Sequence, residues 1–241
     1  RLNYEKLIKE KYCDEKMLNL LINCLLAKYK IIICGEPESG KTELAKWLAM
    51  YIPDTENNII VEDTPEWHYK ELKPNASAIE IKVNENFTYV DAMKIIVRLN
   101  PKRMMLSEVR GVEAMELIDS WSEGTAGITT LHTDAVKKIP DRILNMMPTR
   151  QDAERLRNNV YENLDIGIKV CKKIAPDGSR YRCIDEVGFF ARDNEKNCFY
   201  PYYEGGKYVA EFPNAKLKKF YDANITNPFE IAEEMRLRKF E

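Results

Sequence analysis

Lys41 and Thr42 stand at the end of the stretch IIICGEPESGKT, residues 31–42, directly before a run that reads as a helix. The spacing Gly35-x-x-x-x-Gly40-Lys41-Thr42 is that of a phosphate-binding loop. Its chemistry follows from the residue types. Glycines let the backbone fold around a phosphate and turn several N–H groups toward it, and the positive end of the following helix adds to that field. A lysine here reaches the β- and γ-phosphates of a nucleoside triphosphate, and the threonine hydroxyl ligates Mg2+. Gly35, Glu38, Ser39, Gly40, Lys41, Thr42 and Glu43 are the candidate contacts to ATP, with Thr42 also on the metal. Glu36 and Glu38 are out of place in an anion cradle. Turned to solvent they leave the backbone donors free but weaken the local positive potential. A somewhat lower nucleotide affinity is the expectation.

Three further groups follow directly on apolar runs: Glu62-Asp63 after NIIV (58–61), Glu108 after RMMLS (103–107) and His132 after ITTL (128–131). Phosphoryl transfer needs positioning and charge neutralisation more than covalent chemistry, and these residue types can supply both. What must position them is an alternation of strands and helices. A helix over 15–27, capped by Asp14, carries Met17, Leu18, Leu21, Leu25 and Leu26 on one face. Strands are expected over 31–34, 58–61, 79–83, 103–107 and 128–131, and helices over 43–50, 89–99 (from Thr88, stopped at Pro101) and 111–122. Such alternation implies a mainly parallel sheet covered on both faces. In open sheets of this kind ligands bind beyond the carboxyl ends of the strands. The loop and the three polar strand ends are thereby expected to converge on one site.

Composition bounds the reading. The chain has 241 residues, 44% hydrophobic and 32% charged, with a net charge of −2, an ordinary globular balance that disfavours a nucleic-acid-coating protein. No apolar run approaches the roughly 18 residues of a membrane span, and no signal peptide is recognised. Six cysteines, at 13, 24, 34, 171, 183 and 198, lack C-x-x-C spacing, so no zinc site is expected and all six are read as free thiols. His68 and the methionines at 104, 105, 146 and 147 read as structural. Toward the C terminus, residues 169–190 read as a hairpin turning at Pro176-Asp177-Gly178-Ser179. A second turns at Gly205-Gly206, with Phe199, Tyr200, Tyr202 and Tyr203 read as packing onto the core. Residues 228–240 read as a closing helix.

Taken together, GEPESGKT (35–42), VEDTPEW (61–67), RLNPKRMMLSEVRGVEAMEL (98–117) and GTAGITTLHTDA (124–135) resemble the ring-forming traffic ATPases of type II and type IV secretion, conjugation and type IV pilus machines. The resemblance runs from about Asp14 to Arg142 and continues more weakly to RCIDEVGFF (182–190). It implies a RecA-like α/β ATPase core over 1–192, a C-terminal extension over 193–241, and an N-terminal ring domain not carried by this chain. It implies Glu62 as the catalytic glutamate on the attacking water, Asp63 assisting through the water shell of Mg2+, and Glu108 as the Walker B glutamate, also on the metal. His132 would sense the γ-phosphate, and Arg98 would be the foremost candidate catalytic arginine, ahead of Arg103, Arg110 and Arg142. Departures from the family pattern are Ser107 before Glu108, Thr125 where a histidine is usual, and Lys102 where an aspartate is usual. The family implies ATP and Mg2+, a hexameric homo-oligomer, other secretion ATPases and inner-membrane components as partners, no direct nucleic-acid binding, and a cytoplasmic location at the inner face of the membrane. The reading is an ATP-driven motor of type IV secretion or conjugation. A type IV or Tad-like pilus-assembly ATPase, another P-loop translocase, and a nucleotide-binding scaffold with little hydrolysis stay open.

Overall fold

The computed structural model describes residues 2–147 and 152–238. One nine-stranded sheet organises them, in the spatial order β3-β2-β4-β5-β1-β6-β7-β8-β9. The strands are β1 (Lys30–Cys34), β2 (Asn58–Glu62), β3 (Ala78–Lys82), β4 (Arg103–Val109), β5 (Ala126–Leu131), β6 (Ile166–Ile174), β7 (Arg180–Asp193), β8 (Lys196–Glu204) and β9 (Lys207–Tyr208). β3 through β6 in that spatial order pair in parallel. β7, β8 and β9 continue the sheet antiparallel. The architecture is the mixed α/β, RecA-like core, and the second hairpin is fused to it, because β8 pairs with β7 from Glu186 to Asp193.

The helices are α1 (Tyr4–Lys9), α2 (Glu15–Leu26), α3 (Lys41–Ala49), α4 (Tyr69–Leu72), α5 (Tyr89–Ile96), α6 (Glu113–Ser122), α7 (Ile139–Met146), α8 (Ala153–Asn163), α9 (Leu217–Asp222) and α10 (Glu233–Arg236). Strand periodicity sorts them onto the two faces. Ile31 and Ile33 point into an apolar layer with α2 and α3, whereas Ile32 and Cys34 point into another with α5, α6 and α7. β1, covered on both sides, therefore reads as an unbroken apolar run. Local capping matches the sequence reading. Asp14 accepts the Met17 N–H at 2.8 Å, and Thr88 and Asp91 bond reciprocally at the start of α5. Past Ile96 the chain tightens into a 3-10 turn over Val97–Leu99 and stops at Asn100, whose φ is +46°.

β4 is made of residues with weak strand preference, yet it is almost wholly buried. Arg103 explains how: its guanidinium bonds Glu56 at 2.5 Å and the Leu25 carbonyl at 2.8 Å, at the amino end of the strand and away from the phosphate loop. The expected closing helix over 228–240 is corrected to a single turn, α10. The segment before it turns at Pro228-Phe229 instead of winding into a helix, and the Pro228, Phe229 and Glu230 carbonyls accept from Asn19 and Asn23 of α2. The end of that expected helix lies outside the described residues. The aromatic hairpin residues divide. Tyr202 and Tyr203 are buried with Phe189, Tyr208 and Phe212, and Phe199 packs on Phe190. Among the described residues no helix is long and apolar enough to cross a membrane.

Candidate functional site

Gly35 follows the last residue of β1 with φ +145°, and a Cβ there would lie 2.2 Å from the Val170 carbonyl of β6. Only glycine permits that approach of two main chains. Gly40, at φ +100°, turns the chain into α3. Lys41, the first residue of α3, is buried, and its ammonium donates to the Gly35 and Glu36 carbonyls at 3.1 and 2.9 Å. Burial lowers its pKa, with nearby Glu108 acting in the opposite sense. Ser39 is buried beside it, with its hydroxyl unpartnered in the protein.

The register of β4 against β5 explains how Glu108 arrives. Leu106 pairs with Thr129 and Val109 with Leu131, so β4 carries one residue more than β5 over this span. That is a β-bulge at Ser107-Glu108, fixed by a 2.7 Å bond from the Thr130 hydroxyl to the Ser107 carbonyl. The extra residue re-aims the Glu108 carboxylate across the strand ends. His132 Nε2 lies 2.7 Å from Glu108 Oε1, while His132 Nδ1 lies 3.3 Å from the Lys41 ammonium. Arg110 Nε donates to Glu108 Oε2 at 2.7 Å, and Arg110 Nη1 lies 3.3 Å from Asp63. The bond to Glu108 raises the Arg110 pKa. Lys41, His132, Glu108, Arg110 and Asp63 thus form one continuous chain of polar contacts across the carboxyl ends of β1, β5, β4 and β2.

Glu62 is arranged differently. Its Oε1 accepts the N–H groups of Glu66 and Trp67, both at 2.9 Å, and the side chain is buried. Burial pushes its pKa up, against those two backbone bonds. Glu62 therefore folds the loop 62–67 back on itself, and the fully buried Trp67 pins it. The folded loop presents Glu66, whose carboxylate accepts the Thr42 hydroxyl at 3.2 Å and whose carbonyl accepts Lys46 at 3.0 Å. Sequence reasoning passed over Glu66. The signal was present as the third acid of VEDTPEW, but its placement depends on how Glu62 bonds.

Arg98 does not join this cluster. It is exposed on the turn between α5 and β4, and neighbouring Leu99 bonds Asn57, just before β2. That is the amino end of the strands, opposite the phosphate loop. Arg142 is also exposed, on α7. Glu43 sits on the first turn of α3, paired with Lys46 at 3.3 Å. Glu38 is bonded by Lys172 and Arg182 of the β6–β7 hairpin. No group of three or more His, Cys, Asp or Glu side chains among the described residues forms a ready metal cage. The donors at hand are the Thr42 hydroxyl and the Glu66, Glu108 and Asp63 carboxylates, an all-oxygen set that fits Mg2+, which keeps water and substrate oxygens as most of its ligands.

Comparison with known proteins agrees with this fold. The type IV secretion system protein VirB11 of Bartonella henselae is 32% identical over 167 residues, 65% of this chain and 45% of that protein. VirB11 of Brucella suis is 30% identical over 171 residues, 66% of this chain and 46% of that protein. The chain thus spans about half the length of these curated relatives, or less. The solved Brucella suis VirB11 ATPase, in complex with sulphate, superposes with a TM-score of 0.65 at 25% identity, covering 78% of this chain and 56% of the other. The pilus retraction motor PilT with bound ADP shares the fold at a TM-score of 0.56 and 20% identity, covering 80% and 54%. The sequence profile described as type II/IV secretion system protein matches residues 1–236. With a family model matched over nearly its whole length and the fold of the solved VirB11 ATPase, the protein belongs to the type II/IV secretion ATPase family.

Proposed function

We propose that this chain hydrolyses ATP as the motor core of a type IV secretion or conjugation machine, or of the related pilus-assembly machines. The observation that carries the reading is the contact chain Lys41–His132–Glu108–Arg110–Asp63 beside the Thr42–Glu66 pair. It supports the reading because a lysine for the β- and γ-phosphates, a hydroxyl for the metal and carboxylates for water would then act together at the strand ends. Mg2+, when bound, would neutralise phosphate charge, with Thr42 as its protein ligand and Glu108 and Asp63 reaching it through water. His132, between Lys41 and Glu108, would exchange partners when a γ-phosphate draws Lys41 away from the Gly35 and Glu36 carbonyls. That exchange is a means of coupling phosphate state to movement of β5.

Glu62 and Glu66 divide the role that the resemblance gave to Glu62 alone. Glu62 shapes the acidic loop, and Glu66 presents a carboxylate to the metal side of the cleft. Glu66→Gln is expected to lower phosphate release about a hundredfold with little change in nucleotide affinity. Glu62→Gln is expected to lower it similarly and also to loosen the loop, read as faster proteolysis after Glu66. A wild-type rate in Glu66→Gln would remove that residue from the mechanism. Arg98, facing away in its own subunit, would reach a nucleotide only from a neighbour in a homo-oligomeric ring. The functional test is Mg2+-dependent phosphate release against protein concentration. A rate rising more than linearly supports a subunit-shared site. ATP binding without release at any concentration would replace the motor with a nucleotide-binding scaffold. The site of action proposed is the cytoplasmic face of the inner membrane, among other secretion components.

A further inference from the structure

We propose that Lys172 and Arg182 are positioning residues of the phosphate-binding loop, which cancel the charge of Glu38 and hold its peptide so that nucleotide phosphate can enter. The proposal rests on the nucleotide site proposed above and adds to it a control element from the C-terminal hairpin. Glu38 has φ +58°, a left-handed conformation unfavourable to any residue with a side chain. It is also an acid in a cradle meant for an anion. Both problems are met by one pair of residues that face each other across β6 and β7: Lys172 is the register partner of Arg182. The Lys172 ammonium lies 2.8 Å from the Glu38 carboxylate. Arg182 donates from Nε and from Nη2 to the Glu38 carbonyl, each at 3.3 Å. Arg182 also runs directly over the next glycine, since a Cβ on Gly40 would sit 3.0 Å from its Cδ. The two cations, the loop residues Gly40 and Lys41, and Tyr12 line a common cavity of about 1000 Å3.

The physical division of labour is clear. The Glu38 side chain is 83% exposed, so its ion pair contributes little to the stability of the fold. Its influence would fall instead on a phosphate bound by the loop that carries Glu38. An uncancelled carboxylate there repels the incoming anion; a cancelled one does not. Arg182 acts on the carbonyl, keeping the Glu38 peptide in the orientation that the loop requires.

A two-by-two set of variants separates this role from a merely structural one. A fluorescent ATP analogue is titrated into wild type, Lys172→Ala, Glu38→Gly and the double variant, with thermal melting of each. The expected result is a Kd raised about fivefold by Lys172→Ala alone, with an unchanged melting midpoint. Glu38 would contact phosphate through its main-chain N–H, which Glu38→Gly keeps, so that variant binds at least as tightly as wild type, and Lys172→Ala loses nothing further in the Glu38→Gly background. Arg182→Ala, whose target is the main chain, raises the Kd in both backgrounds. An equal loss from Lys172→Ala in both backgrounds, or in neither, would overturn the proposal while leaving the nucleotide site standing. Wild type failing to bind the analogue would instead bring down the nucleotide site itself, and the positioning role with it.

Discussion

Lys41→Ala is expected to reduce kcat/KM for ATP about a thousandfold, the order of effect seen when a preorganised charge is removed from a transition state. The buried ammonium is held at the loop by two carbonyls and lies between the loop and His132. In the transition state it would meet negative charge on the transferring phosphoryl oxygens, and the burial of the ammonium strengthens that interaction. Alanine also removes the contact through which His132 is linked to the loop, so the loss should appear in kcat as well as in KM. The fold should survive, because no opposite charge is left buried without a partner: Gly35 and Glu36 offer carbonyls that water can satisfy. Single-turnover phosphate release, together with circular dichroism on the same samples, checks both parts. A rate within severalfold of wild type would exclude the loop from catalysis.

The largest expected effect on stability lies far from that loop. Asp165 precedes β6, is 3% exposed, and accepts the Lys30 N–H at 2.9 Å, the Lys216 ammonium at 2.9 Å and the Lys219 ammonium. Lys216 is itself buried. Asp165→Asn retains the shape but leaves Lys216 without its counter-charge, which should destabilise the protein by about 3–5 kcal/mol. Urea unfolding with an unchanged slope would measure it. The pH dependence carries a second signature. Burial alone would push the Asp165 carboxyl up, but Lys216 and Lys219 prevail and hold its pKa below the usual value. A folded-state value lower than the unfolded one, about 3.9, means stability that is fully present above the unfolded value. It is lost as pH falls through the folded one. Wild type should therefore lose stability in that acid window, and Asp165→Asn should show a flatter profile there. A variant as stable as wild type at neutral pH would mean that the ion triad contributes nothing net.

Much of the site was legible because its signals are local. β1, β2, β4 and β5 each end within one or two residues of where apolar runs give way to Gly35, Glu62, Glu108 and His132. A strand of one burial pattern followed by a glycine or an acid needs no distant partner to be recognised. Glu108 was legible as a strand-end acid, but its aim toward His132 was not. The aim comes from a bulge, which exists only as a mismatch between β4 and β5. Glu66 was missed for a similar reason, because its position is set by two backbone bonds to Glu62 rather than by spacing. Arg98 was singled out from a motif that says nothing about which end of the sheet an arginine occupies. The Asp165 triad joins residues far apart in the chain, and no periodicity encodes it. The same holds for the turn at Pro228-Phe229 before α10, where α2 supplies the hydrogen bonds that overrule a helical pattern.

The strand order also sets a timetable for synthesis. Ile31 of β1 pairs with Ile128 on one side and Ile166 on the other. Everything from Ile31 to Ile128 must leave the ribosome before that strand has either neighbour. At ordinary translation rates the apolar run IIIC waits on the order of ten seconds for its first partner. α2 waits longer, since Asn19 and Asn23 find their acceptors only at residues 228–230. The phosphate loop, hung between β1 and α3, is thus made well before the strands that set it in place. A nascent chain stalled before Ile128 should accordingly depend on a holding chaperone and bind no nucleotide.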